Sequence, residues 1–136
     1  MSSHDARPVM GCNFRVEIVD GNGHATEVGC SEVVFPALAV HADAQSPPAE
    51  EQLVLRRAAN GDRVLHDWWA KACNGRAPQR RSVRVTLLAP DHERAVKRWR
   101  FRNARPASLH YSPLDALANA LVMESLAVAF DSVEIE

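Results

Sequence analysis

The chain has 136 residues, of which 46% are hydrophobic and 24% charged, and its 16 basic and 17 acidic side chains leave a net charge of −1. This length fits one domain with its own core, and the near-neutral balance does not favour general binding to nucleic acid or to anionic membranes. No apolar run is long enough to cross a bilayer.

The N-terminal region predicts an arm followed by a strand and a turn. Residues 1–12 are polar and contain proline, which is typical of a flexible arm ahead of a single domain at 13–136. They lack the apolar core of a signal peptide, so we expect synthesis in the cytoplasm. Apolar residues alternate in Asn13–Val19, which predicts a half-buried strand. Asp20–Gly23 is typical of a hairpin turn.

The next segment predicts a strand, a loop and a second strand. Cys30–Leu38 contains a run of β-branched and aromatic residues and predicts a strand. His41–Gln52 contains two prolines and several small or acidic residues, which predicts a loop. Leu53–Arg57 predicts a short strand.

A helix is predicted at about residues 62–73. Asp62 suits its N-cap, and Asn74 with Gly75 suits its end. Trp68 and Trp69 are about 100° apart on a helix. At most one of them can therefore be central in a core, and the other is a candidate for a contact with a neighbouring subunit. The apolar stripe of the helix consists of Val64, Leu65, Trp68, Trp69 and Ala72.

Ser82–Leu88 and Val96–Pro106, joined by an acidic turn, predict a β-hairpin. On its second strand Trp99 and Phe101 share one face, and arginines occupy the other. We expect this arginine row to face solvent or a neighbouring subunit and to pair with carboxylates. The arginines are Arg98, Arg100 and Arg102, and the candidate carboxylates are Glu50, Glu51, Glu124 and Glu134.

An alternative reading of the same row is a small nucleic-acid-binding β-barrel, because a basic sheet surface can track a phosphate backbone. Bases on a sheet usually stack on aromatic side chains beside the basic ones. Here Trp99 and Phe101 lie on the opposite face from the arginines. Direct nucleic-acid binding is therefore the less favoured reading.

The C-terminal region allows two structures. Ser112–Asp115 has the form of a capping box and would by itself start a helix running through Leu121. The alternation from Val122 to Phe130 favours a strand instead. We expect a loop or single turn at Pro113–Ala118 and a strand over about Ala120–Asp131. The predicted fold is mainly β, an antiparallel β-barrel or sandwich with one flanking helix.

The residues that could carry chemistry are scattered. Cys12, Cys30 and Cys73 form no C-x-x-C pair, which indicates a reducing compartment. Only His66 and Cys73, seven residues apart on the predicted helix, loosely fit a metal-ligand spacing, and a zinc site would need two further ligands. No nucleophile motif or phosphate-binding loop occurs. We expect no catalytic residue, no cofactor and no metal site.

Several motifs, in order, resemble the tail-tube protein family of contractile phage tails and phage-like contractile injection systems. The family shows F-x-V-x-I, then a strand like I-T-L-K-R-G, a helix ending in D-W-W, a W-x-F-x-N-A-x-P strand and a final E-x-L-x-L-A strand. This chain matches with Phe14–Ile18, Leu53–Arg57, Asp67–Trp69, Trp99–Pro106 and Glu124–Ala129.

The resemblance implies a structural protein whose copies form hexameric rings that stack into an inner tube. It implies sheath, baseplate or spike, and other tube proteins as partners, within a particle or apparatus assembled after synthesis. We expect Leu53–Trp69 to supply an edge strand and the packing helix. The candidate subunit-interface residues are Leu53, Val54, Leu55, Arg56, Arg57, Trp68, Trp69, Arg98, Arg100 and Arg102.

One stretch departs from the family pattern. The family carries a long hairpin with Y-R-x-G and K-x-P-G motifs between its second strand and the L-K-R-G strand, and this hairpin is expected to contribute to ring-to-ring contact. His41–Gln52 replaces it with a shorter, proline-rich stretch that has neither motif. The departure predicts a specialised position, such as a tube-initiating ring at the baseplate or another tube end.

Overall fold

A computed structural model describes residues 10–38, 52–75 and 80–136. In this part of the chain there are eight strands and one helix. In chain order the elements are β1 (Phe14–Val19), β2 (Ala25–Val28), β3 (Glu32–Val34), β4 (Leu53–Ala58), α1 (Val64–Cys73), β5 (Arg81–Leu88), β6 (Ala95–Tyr111), β7 (Met123–Ala129) and β8 (Ser132–Ile135).

The strands form one antiparallel sheet that divides at its longest strand. The order is β2-β1-β5-β6-β7-β4-β3, with β8 also beside β6. The first part of β6, up to Ala104, pairs with β5 and β8, and its second part, Arg105–Tyr111, pairs with β7. We call the β2-β1-β5-β6-β8 half sheet I and the β6-β7-β4-β3 half sheet II.

The division of β6 has a local cause at Asn103. This residue has a φ of 53°, a left-handed conformation that asparagine tolerates better than most residues. Opposite it the chain breaks between β7 and β8, where the Asp131 amide donates to the Arg102 carbonyl at 3.0 Å. The Asp131 carboxylate accepts hydrogen bonds from Asn103 Nδ2 at 3.2 Å and from Arg105 Nη1 at 2.9 Å. Because the backbone changes direction at Asn103, the first half of β6 pairs in sheet I and the second half pairs in sheet II.

The core lies between the inner faces of the two sheets and under α1. Phe101 of sheet I packs edge-to-face on Phe130, with ring centroids 4.9 Å apart. From the helix, Leu65 and Trp68 are fully buried, and the Arg81 guanidinium lies 5.5 Å from the centre of the Trp68 ring. These contacts fix α1 against the sheets and agree with the predicted mainly β fold with a flanking helix.

Several predicted elements are confirmed. Strand β1, strand β4, the helix and the β5–β6 hairpin lie where the periodicity places them. Residues 112–122 contain no helix, in agreement with the expected loop. Of the two tryptophans, Trp68 is buried and Trp69 is half-buried, as their angular separation requires.

Other predictions need correction. The turn at Asp20–Gly23 leads from β1 into β2, a strand that was not predicted. Within the strand predicted at Cys30–Leu38 only the short β3 forms, before Pro36. Strand β4 is not an edge strand, because it lies between β3 and β7. Arg63 occupies the N-cap of α1, although Oδ1 of Asp62 still accepts the Val64 N–H at 3.0 Å.

Strand β6 runs beyond the predicted end at Pro106 to Tyr111. The final strand predicted over about Ala120–Asp131 is observed as the shorter β7 (Met123–Ala129), and β8 (Ser132–Ile135) follows it as a strand that was not predicted. The loop expected at His41–Gln52, apart from Gln52 itself, and most of the expected arm lie outside the described residues.

Candidate subunit interfaces

The sheet leaves strand edges open within the described part of the chain. Strand β3 pairs only with β4, and the Arg105–Tyr111 part of β6 pairs only with β7. These two edges bound sheet II and run antiparallel to each other, because each of the three strand pairs between them is antiparallel. In sheet I, β2 and β8 have one neighbour each. Open edges of this kind are templates for strand addition.

The outer face of sheet II carries rows of valine, small and polar side chains. One row runs across the strands from Val34 through Val54 and Ala127 to Ser108. In the next row Arg56 donates to the Glu32 carboxylate at 2.9 Å and to the Ser125 hydroxyl at 3.2 Å. Two of the predicted interface residues, Val54 and Arg56, therefore lie on this face, each next to the edge strand β3.

The outer face of sheet I is a ladder of ion pairs. Arg84 contacts Glu17 at 3.1 Å, Arg15 contacts Glu27 at 3.5 Å, and Arg102 donates to Glu134. The Arg102 hydrogen bond lowers the pKa of the Glu134 carboxyl.

The predicted arginine row is part of this ladder. Arg98 and Arg100 share the Glu136 carboxylate at 3.7 and 3.8 Å. The expectation that Glu134 pairs with the row is confirmed, and Glu50 and Glu51 lie outside the described residues. Each of the three predicted arginines has a carboxylate partner, so the row presents far less free positive charge than the sequence indicated.

A buried ionic network connects β4, β7 and the end of β6. Nε of Arg57 donates to Oε1 of Glu124 at 2.9 Å, and Nη1 of Arg57 donates to Asp62 at 2.9 Å. The Tyr111 hydroxyl donates to Oε2 of Glu124 at 2.7 Å, and this hydrogen bond raises the pKa of Tyr111. Glu124 was expected to pair with the exposed arginine row, and that expectation was wrong because its side chain points inward.

The periodicity contains the signal for this network. Arg57 continues the inward set of Leu53 and Leu55, and Glu124 begins the inward set of Leu126 and Val128. Two opposite charges at inward positions of neighbouring strands form a candidate buried pair. Leu53 and Leu55 are fully buried in the subunit core.

The described residues hold no constellation that would support catalysis by a metal, since no group of three or more histidine, cysteine, aspartate or glutamate side chains is placed to bind an ion there. Burial raises the pKa of the Cys30 thiol to about 11, which disfavours the reactive thiolate. Within the same ranges no helix is both long and apolar enough to cross a membrane.

The chain matches the T4-like virus tail tube protein gp19 family over residues 11–134. It therefore belongs to this family of tail tube proteins, as the ordered motifs predicted. A search of curated proteins finds no match.

Solved structures show the same fold at low sequence identity. A chain of the anti-feeding prophage baseplate is 15% identical with a TM-score of 0.75, and the alignment covers 97% of both chains. A chain of the PVC extracellular contractile injection system, from its sheath/tube terminator, is 18% identical with a TM-score of 0.74 and coverage of 96% and 97%. Hcp1 from Flavobacterium johnsoniae is 10% identical, with a TM-score of 0.52 and coverage of 89% and 94%.

Proposed function

We propose that this chain is a structural, non-enzymatic subunit that closes into rings in the inner tube of a contractile injection apparatus or phage-like tail. The observation that carries the proposal is the family match over residues 11–134, joined to a sheet with open edges. Six copies per ring is the number we propose, because the related anti-feeding prophage baseplate is a sixfold-symmetrised structure.

Ring closure by sheet II is the geometry that the strand directions favour. A rotation about the ring axis keeps every copy pointing the same way, so β3 of one copy meets the 105–111 edge of the next in antiparallel orientation. The edges of sheet I, β2 and β8, run parallel to each other because four antiparallel pairs separate them. Antiparallel pairing is slightly more stable per residue, and a closed ring removes exposed edges.

The place of the ring along the tube is the finer part of the proposal. We propose a specialised ring at a tube end or at the baseplate, because His41–Gln52 lacks the family's long stacking hairpin. Structural neighbours from a baseplate, a sheath/tube terminator and a tube-terminating cap are consistent with such a position, and a sheath–tube complex is also among the neighbours. We further propose synthesis in the cytoplasm, partners among sheath and baseplate proteins, and a flexible arm at residues 1–12.

Cysteine cross-linking tests ring closure through sheet II. Val34→Cys and Ser108→Cys lie in one row but three strand spacings apart, about 14 Å, which is too far for a disulfide within one copy. In a Cys12→Ser, Cys73→Ser background, oxidation of the purified double variant should give a ladder of covalent oligomers ending at six. His110→Cys replaces Ser108→Cys in a second variant, to allow for stagger between copies.

The matched control places cysteines on the edges of sheet I, at Glu27 and Ser132. If only the control pair cross-links, the ring closes by strand addition through sheet I, and closure through sheet II is rejected. Sedimentation velocity and negative-stain microscopy on the unmodified protein test the wider proposal. A strictly monomeric species at high concentration, with no ring alongside tube and baseplate partners, would contradict it.

A further inference from the structure

The two open edges of sheet II each present a particular set of backbone groups. In an antiparallel ladder, residues that face each other alternate between pairs that exchange hydrogen bonds and pairs whose N–H and C=O groups point away to the other side. One hydrogen bond along a strand pair therefore fixes the direction of the backbone groups at every position up to the next bulge. Within the described ranges, groups that point outward from an edge strand are the ones that a further strand can bind.

Val33 is the residue of β3 whose backbone groups point outward. The Ala59 N–H donates to the Val122 carbonyl at 2.8 Å, at the end of the β4–β7 ladder. Every second residue back along β4 from Ala59 therefore bonds to β7, and the residues between them, including Val54, bond to β3. Val54 lies opposite Val34. The next residue, Val33, thus directs its N–H and C=O to the open edge.

Leu109 and Tyr111 are the corresponding residues of β6. The Ser112 N–H donates to the Met123 carbonyl at 2.9 Å, at the end of the β6–β7 ladder. Every second residue before Ser112, as far as the bulge, therefore bonds to β7 in the same way. Leu109 and Tyr111 fall between these residues, so their N–H and C=O groups point to the open edge.

Pro106 limits this edge on the other side of the bulge. It lies opposite Val128, whose backbone groups are used on the β4 side, where Val128 faces Leu53. Pro106 therefore also faces the open edge, and there it offers a carbonyl but no N–H. Proline at such a position is one of the ways in which natural sheets prevent unwanted pairing. Past the bulge, the outward donors of β6 are confined to Leu109 and Tyr111, a stretch that matches the three residues of β3.

We propose that copies of this chain join through a short backbone patch in which Val33 of one copy pairs with Leu109 or Tyr111 of the next. The two edges run antiparallel, as this pairing requires. The contact is heterologous, so a rotation can close it into a ring. The pairing specifies how the proposed ring closes, and it rests on that proposed function.

Tyr111 supports a second copy of the chain as the occupant of this edge. Its hydroxyl donates to the buried Glu124 at 2.7 Å, which holds the ring on the inward face, yet its side chain is 44% exposed. Val33 also points inward and packs against the core. A β-branched residue beside an aromatic ring is a favourable cross-strand pair. Val33 of the next copy would therefore cover the exposed part of Tyr111 and continue one buried face from copy to copy.

Proline substitutions test the pairing, because they remove an N–H. Val33→Pro and Leu109→Pro each delete an outward donor and no hydrogen bond of the sheet itself, so the fold should be kept, as far-UV circular dichroism and thermal unfolding would verify. Each interface contact should weaken about tenfold. In sedimentation velocity the rings should then dissociate at concentrations at which the wild type stays assembled. Val33→Ala and Leu109→Ala keep the N–H and should assemble better than their proline counterparts.

Glu27→Pro is the matched control on the open edge of sheet I. The Leu88 N–H donates to the Asn13 carbonyl at 2.7 Å, and the same alternation through β5, β1 and β2 points the backbone groups of Glu27 outward. Its rings should match those of the wild type. Hydrogen exchange gives a second readout, since the Val33 amide should exchange at least about tenfold more slowly in wild-type rings than in the monomer. The Glu27 amide should exchange equally in both.

The outcomes separate this pairing from the ring itself. Val33→Pro and Leu109→Pro rings that are as stable as wild-type rings would overturn the pairing and leave the ring standing. Disruption by Leu109→Pro alone would also overturn it, because two β6 edges would then pair with each other, and disruption by Glu27→Pro alone would assign closure to sheet I. If a proline variant fails to fold, Val33 exchange that is unchanged by assembly of the wild type overturns the pairing. A wild-type protein that forms no ring would contradict the proposed function as well.

Discussion

Arg57 and Glu124 form an ion pair at 2.9 Å between β4 and β7, with side chains only 3% and 7% exposed. Burial by itself would lower the pKa of Arg57, but its hydrogen bonds to Glu124 and Asp62 prevail, and the pKa is raised. Removing one partner from such a pair leaves the other charged and buried, which is more damaging than removing both.

We therefore expect Glu124→Leu to lower the free energy of unfolding by about 3 kcal/mol or more. The double variant Arg57→Met, Glu124→Leu should recover most of that loss, because no buried charge remains. Urea unfolding of the two single variants and the double variant gives the coupling energy directly. Additive losses in the double variant would show that the pair is not coupled.

The two tryptophans of α1 should differ in their effect on stability. Trp68 is fully buried and Trp69 is half-buried, so Trp68→Ala should lower the free energy of unfolding by about 3–5 kcal/mol. Trp69→Ala should lower it by less, since a smaller part of its ring leaves the core. Thermal and urea unfolding measure both values. Equal losses would contradict the one-sided burial of this helix.

Asp62 should make stability depend on pH in the acid range. The Val64 N–H and the Arg57 side chain hold the pKa of its carboxyl below the ordinary value. A carboxyl whose pKa is lower in the folded state adds stability above its unfolded pKa of about 3.9, and this contribution is lost as pH falls through the folded value.

Asp62→Asn should therefore be less stable than the wild type at neutral pH, by no more than about 1 kcal/mol for this half-exposed group. The two stabilities should converge as pH falls towards 2. Urea unfolding between pH 2 and 7 measures the difference. Glu93→Gln, an exposed change outside the network, is the control, and a constant gap across the range would refute the linkage.

The sequence predicts those parts of the fold that depend on residues close together in the chain, and it fails where the deciding contacts join distant residues. Alternation located β1 and β5 because one face of each is buried, and the ordered motifs identified the family. Strand β2, four residues with one fully buried, carries too little periodicity to be detected. The chain break between β7 and β8 lies at Asp131, which contacts Asn103, a pairing 28 residues apart that local pattern does not contain.

The candidate interfaces show the same limit. The sequence placed Arg98, Arg100 and Arg102 on one outer face, but their pairing with carboxylates depends on β8, whose residues follow the last predicted strand. The loop at residues 112–122 begins with a capping box, which by itself would have predicted a helix where the structure has none. Its exposure follows from the β6–β7 register, which brings Ser112 to Met123 and leaves the intervening residues outside the sheet.

The ion-pair ladder predicts how the protein responds to polyanions. Because Glu134 and Glu136 contact all three arginines of the row and offset two of their three charges, we expect no salt-dependent binding of single-stranded DNA by the wild type in fluorescence anisotropy at low salt. Glu134→Gln with Glu136→Gln frees three arginines and should create weak binding that falls steeply with salt, because phosphate neutralisation releases counterions.

The control for this experiment is Glu32→Gln with Glu93→Gln, which changes the net charge equally but lies away from the row. If the control binds as well as the test variant, net charge and not the arginine row is responsible. Wild-type binding with a clear salt dependence that disappears on replacing Arg98, Arg100 and Arg102 would contradict this prediction. The ion pairs would then not prevent the row from binding phosphate, and nucleic-acid binding by this face would be supported.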